Sequence, residues 1–121
     1  MIAFVFPGQG SQAKLMGKAL YNKYPHINIL DKISNYASVD VKQLCFEDSE
    51  SKLNDSVNSA LAVFSISALV LEILKLNSIN PNAYAGYSVG YFSALYAAGY
   101  ISLKNACDLI KIRAELLKKS A

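Results

Sequence analysis

Residues 60 to 76 read ALAVFSISALVLEILKL, a run that is apolar on nearly every side of a helical wheel. A helix of this kind has no polar face to turn to water and calls for protein cover all round. It carries Glu72 and Lys75 and falls short of the roughly 20 clean apolar residues that a bilayer span requires. A buried core helix starting near Asn58 or Ser59 is therefore expected, with no membrane role. A chain of 121 residues is long enough to wrap such a helix in one compact domain with one core. The composition, 53% hydrophobic and 17% charged, is apolar for that size. Such a chain buries most of its length or leaves apolar surface that another piece must cover.

The net charge of +3 is too modest to argue for nucleic acid. Four basic residues, Lys111, Arg113, Lys118 and Lys119, fall in the last eleven positions, and a solvated helix face accounts for them as a group. Cys45 and Cys107 stand far apart, with no second cysteine or histidine at metal-ligand spacing. They read as two reduced thiols of a cytoplasmic protein, and neither a metal nor a cofactor is expected. The start, MIAFVFPGQG, lacks a basic n-region, and its apolar stretch is too short for a signal peptide.

Residues 2 to 6, IAFVF, form a continuous apolar run ending at Pro7-Gly8, as expected of a buried strand in a parallel sheet. The loop PGQGSQ follows. Residues 14 to 38 have a helical pattern with a break near Pro25, which suits the first turn of a second helix. Residues 39 to 57 are polar and irregular, with short helical turns expected. After the apolar helix, Asn80-Pro81 marks a turn, and AYAGYS reads as a second short strand. A helix from Val89 to Ala98 is stopped by Gly99, and Ser102 caps a last helix with Asn105 three residues on. The order strand, helices, strand, helix, helix is that of an α/β domain, a parallel sheet flanked by helices.

The second strand runs straight into Gly86-Tyr87-Ser88-Val89-Gly90, a Gly-x-Ser-x-Gly sequence. A serine hydroxyl is a poor nucleophile at neutral pH and needs placement, a base and an oxyanion hole. A sharp strand-turn-helix elbow supplies the placement by pushing the side chain out above the sheet. The flanking glycines let strand and helix approach without a Cβ clash. The helix that follows aims free N–H groups at developing negative charge, with the Val89 N–H as first oxyanion donor. The plainer alternative is a glycine-flanked tight turn in which Ser88 serves as an N-cap.

FVFPGQGSQ at 4 to 12 and GYSVGYFSALYAAGYISLKNACDLIKIRAELL at 86 to 117 together resemble the malonyl-CoA:acyl carrier protein transacylases of fatty acid synthesis and the acyltransferase domains of polyketide synthases. The resemblance covers nearly the whole chain in order. It implies the amino-terminal part of the larger, α/β-hydrolase-like subdomain of an acyltransferase. Ser88 then matches the nucleophile, which takes malonyl from coenzyme A as an ester before passing it to an acyl carrier protein. The backbone N–H groups of Gln9 and Val89 match the oxyanion hole, and Arg113 matches the arginine that holds the malonyl carboxylate. The branched apolar Val89 is the kind of residue found there in malonyl-specific members. Arg113 also stands out without the family. It falls on the helical stripe of Leu103, Ala106, Ile110 and Leu117, opposite Lys104, Asp108, Lys111, Glu115 and Lys118. A cation on an apolar face calls for an anionic partner, which is either substrate or a structural ion pair, unless the side chain snorkels to water.

The sequence departs from the family at Tyr87, where the family has His, and at Tyr91, where it has Glu. The family's Thr-Gln-Pro-Ala segment stands here as Val57-Asn58-Ser59-Ala60. Family members are more than twice as long, so residues 1–121 correspond to a single partial domain without the small ferredoxin-like subdomain. Their catalytic histidine follows the nucleophile in sequence. The only histidine here, His26, precedes Ser88 by 62 positions in what reads as a surface helix, so the base and the remainder of the acyltransferase domain are expected from elsewhere. Two further readings stay open beside the transferase: an acyl hydrolase of the same fold, which the presence of Arg113 argues against, and a truncated carrier-protein-binding segment.

Overall fold

The apolar run after Met1 becomes β1 (Ala3–Phe6), which pairs in parallel with β2 (Ala83–Gly86), Ala3 opposite Ala83 and Phe6 opposite Gly86. This is a computed structural model, and it describes residues 1–120. A parallel pair cannot be joined by a hairpin. The connection here runs through α1 (Lys18–Lys23), α2 (Ile29–Ala37), α3 (Val41–Phe46), α4 (Glu50–Leu53) and α5 (Ser56–Leu76). After β2 come α6 (Gly90–Ala97) and α7 (Leu103–Ser120). The α/β class and the parallel pairing are as the sequence implies.

α5 is the axis of the core. Leu61, Phe64 and Leu69 on it are fully buried, and α2, α3, α4, α6 and α7 all pack against it. By length and composition alone its 21 residues would suffice to cross a membrane; here they form the centre of a helical layer. The helix begins at Ser56, two to three residues earlier than the apolar pattern suggests. The reason is Asp55, whose carboxylate accepts from the N–H groups of Val57 and Asn58 and so caps the first turn. α7 is tied across the core at two points. Lys111 Nζ donates to the Ala37 carbonyl at the end of α2 (2.7 Å), and Lys118 pairs with Asp55 (3.2 Å).

Three expectations need correction. Residues 14 to 17 are not helical: Leu15 and Gly17 hold positive φ (68° and 78°), and the Leu15 N–H donates to the Cys45 carbonyl instead of a helical partner. Pro25 and His26 lie in the turn between α1 and α2, so Pro25 does not open the second helix, which starts at Ile29. The strands are not buried on both faces. Val5 is 74% exposed, and each strand of a two-stranded sheet has one unpaired edge. The remaining helix ends agree, with Ser102 Oγ accepting from the Asn105 N–H (3.1 Å) and Gly99 at φ 85° after α6.

Candidate active site

Ser88 stands between β2 and α6 with φ at 57°, the left-handed region that L side chains rarely adopt. Such a backbone costs about 1–3 kcal/mol and persists only where its surroundings fix it. Here the glycines make the fixing possible. A Cβ at Gly86 would overlap the Gly90 carbonyl, and a Cβ at Gly90 would overlap the carbonyls of Phe6 and Pro7. The strand, the turn and the start of α6 therefore close to a spacing open only to glycine. The Ser88 hydroxyl does not cap α6. The helix begins after Val89 with no side-chain cap bond, so the plain N-cap reading fails. Instead Ser88 Oγ accepts from Arg113 Nη2 at 3.4 Å.

The loop after β1 lies directly against this turn. A Cβ on Gly8 would come within 2.8 Å of Ser88 Cβ and 2.5 Å of the Tyr87 carbonyl oxygen. Gln9, the next residue, is thereby set beside the elbow. Among the described residues, neither the Gln9 N–H nor the Val89 N–H donates to a protein acceptor. Both N–H groups are thus free to donate, Val89 at the start of α6 and Gln9 in the loop packed on the elbow. The Val89 side chain is fully buried in the core, so it offers the site only its backbone; any effect on acyl preference acts through packing.

Arg113 reaches the elbow from α7. Its neighbours on the stripe, Ala106 and Ile110, are fully buried as expected, whereas Leu117 is 52% exposed because the last turns of α7 run past the core. Arg113 is half-buried and makes no ion pair among the described residues, so the structural-pair reading finds no partner. Its fork is left facing the serine. His26 is exposed, and both thiols are sealed in the core. Burial pushes Cys45 up to about 12, and burial, with Asp108 nearby, pushes Cys107 up to about 11. Neither is a nucleophile at neutral pH.

One contact leaves no trace in the sequence pattern. Gln9 Nε2 donates to the Ser56 carbonyl (2.9 Å) and to Ser59 Oγ (2.8 Å), joining the loop to the first turn of α5 across 50 positions. Tyr87 and Tyr91, the two departures around the serine, are 78% and 57% exposed and rim the elbow.

The family model described as the acyl transferase domain matches residues 3–121. The chain is 38% identical over 120 residues to a malonyl CoA-acyl carrier protein transacylase of Bacillus subtilis (strain 168), covering 98% of this chain and 38% of the relative. It superposes with TM-score 0.93 and 30% identity on an acyl carrier protein S-malonyltransferase of Vibrio cholerae, covering 98% of this chain and 40% of the other. A malonyl-transacylase solved in complex with a type II PKS acyl-carrier protein gives the same TM-score and identity, with 39% of its chain covered. The chain thus spans about two fifths of the length of these relatives.

Proposed function

Because the chain belongs to the acyl transferase domain family, we propose that it supplies the nucleophile of an acyltransferase moving malonyl from coenzyme A to an acyl carrier protein, in fatty acid or polyketide synthesis. Ser88 Oγ attacks the thioester carbonyl, and its proton passes to a base from outside these residues, a histidine by family resemblance. The C–S bond breaks, coenzyme A leaves as its thiol with that proton, and a malonyl ester remains on Ser88. The carrier's thiol then repeats the exchange in reverse order. In both halves the developing oxyanion is met by the N–H groups of Gln9 and Val89. No metal or cofactor enters these steps, and we place the reaction in the cytoplasm.

The observation that carries this reading is the Arg113 fork standing 3.4 Å from Ser88 Oγ without an ion-pair partner among the described residues. The malonyl carboxylate lies two carbons from the reacting carbonyl, close enough for a fork beside the nucleophile to hold it bidentately. The names of the similar enzymes support the acyl donor, and the solved transacylase–carrier complex supports the acceptor. Incubating the longest natural form that contains these residues with malonyl-CoA is expected to leave malonyl on the peptide bearing Ser88, read by mass spectrometry. Label on another residue, or none in a form that includes the base, would reject the proposal.

A further inference from the structure

We propose that Ser59 is a positioning residue for the oxyanion loop, acting through the side chain of Gln9. The inference rests on the reading above, in which the Gln9 N–H meets the oxyanion. Gln9 sits between two glycines: Gly8 packs against the elbow, but a Cβ at Gly10 would meet nothing within 4 Å, so packing holds the loop on one side of Gln9 only. The N–H of Gln9 has no acceptor of its own among the described residues. The tie on the α5 side is the Gln9 side chain, whose Nε2 is shared between the Ser56 carbonyl and Ser59 Oγ.

Ser59 is suited to that task. It is 1% exposed, its hydroxyl in turn donates to the Ser56 carbonyl (3.2 Å), and so its lone pairs face Gln9. The turn that carries it is held by the Asp55 cap and by the Lys118–Asp55 pair. A further tether of the loop, Gln12 Nε2 to Asn54 Oδ1, is exposed and competes with water. By the resemblance, Ser59 stands at the place of the proline in the family segment quoted above, and a proline has no hydroxyl to accept with.

The test uses the longest natural form of the protein and two reactions of Ser88: acylation by malonyl-CoA and labelling by an alkyl fluorophosphonate. The second needs the oxyanion donors but no carboxylate clamp. Ser59→Ala is expected to slow both by about tenfold with the malonyl-CoA KM within about twofold, because a loosened donor costs less than the roughly hundredfold of an absent one. In a Gln9→Met background, Ser59→Ala is expected to add nothing, since the contact it removes is already gone. Wild-type rates in Ser59→Ala, or the same slowing in both backgrounds, would overturn the positioning role. If fluorophosphonate labels Ser88 and malonyl-CoA does not, the malonyl reading fails while the Ser59 comparison still stands on the phosphonate rates. A wild-type serine inert to both reagents would overturn both.

Discussion

At Ser88, backbone and side chain point to the same use. A left-handed serine is retained at a cost, and the conformation leaves its hydroxyl free of the helix and beside a guanidinium. In the proposed reaction, Arg113 is the residue on which acyl preference turns. Replacing Arg113 with alanine strands a substrate carboxylate in a half-apolar site, a loss of roughly 2–5 kcal/mol in malonyl binding and transfer by analogy with truncated charge pairs. Acetyl transfer, which has no carboxylate to lose, should hold nearly constant. The malonyl-to-acetyl ratio of kcat/KM measures this, and an unchanged ratio would make Arg113 structural. Lysine is expected to recover little, because a point charge does not reproduce the fork. The two cysteines make the opposite case. With side chains at 1% and 0% exposure and thiols held protonated, Cys45 and Cys107 should resist iodoacetamide at neutral pH until the protein unfolds.

Among the elements, the elbow and α5 bear the most specific expectations. Gly90→Ala sets a methyl against the carbonyls of Phe6 and Pro7, and should destabilise by about 3 kcal/mol, seen as a lower urea midpoint. Asp55→Ala removes the α5 cap at about 1 kcal/mol near neutrality. For Asp55, burial pushes the carboxyl up, but hydrogen bonds from Lys118 and from the Asn58 and Val57 N–H groups together leave it below 3.8. Its contribution is therefore present above 3.8 and lost as pH falls through the lower folded value, so the gap between wild type and Asp55→Ala should close in that acid range. These elements were legible to different depths. The strands, the elbow and Arg113 could be read because a continuous apolar run, a glycine pair, or a charge on an apolar 3.6-residue stripe records them locally. The α5 start escaped because apolar periodicity fades at Ser56, while the cap that sets the boundary is a single aspartate. The non-helical residues 14 to 17 escaped because their alternative partner, the Cys45 carbonyl, is 30 positions away. Gln9 and Ser59 pair across a distance that leaves no period at all.

For the whole molecule, the unresolved balance is between an apolar composition and the cover this stretch of chain provides. A groove of about 320 Å³ runs between β1 and α5, lined by Phe4, Phe6, Ile66, Val70 and Leu74. Val5 is largely exposed, and on α7 Leu109, Ile112, Leu116 and Leu117 are 41–58% exposed. Two strands with an unpaired edge each, beside an open apolar groove, form a surface that readily pairs with another chain. The proposed chemistry calls for a further part in the same way. Serine and base act as a unit, and losing the base from such a pair costs on the order of 10⁴–10⁶ in rate, leaving the oxyanion and binding contributions. The only histidine, His26, is exposed in the turn after α1 and makes no hydrogen bond with Ser88. Residues 1–121 produced alone are therefore expected to self-associate and to give no measurable malonyl turnover. A segment that pairs with the open strands and brings a histidine to Ser88 should restore both monodispersity and transfer. Sedimentation velocity with a carrier-protein malonylation assay, run with and without that segment, decides the matter. A monomeric 121-residue protein that transfers malonyl at an ordinary enzymatic rate would show that Ser88 finds its base within these residues.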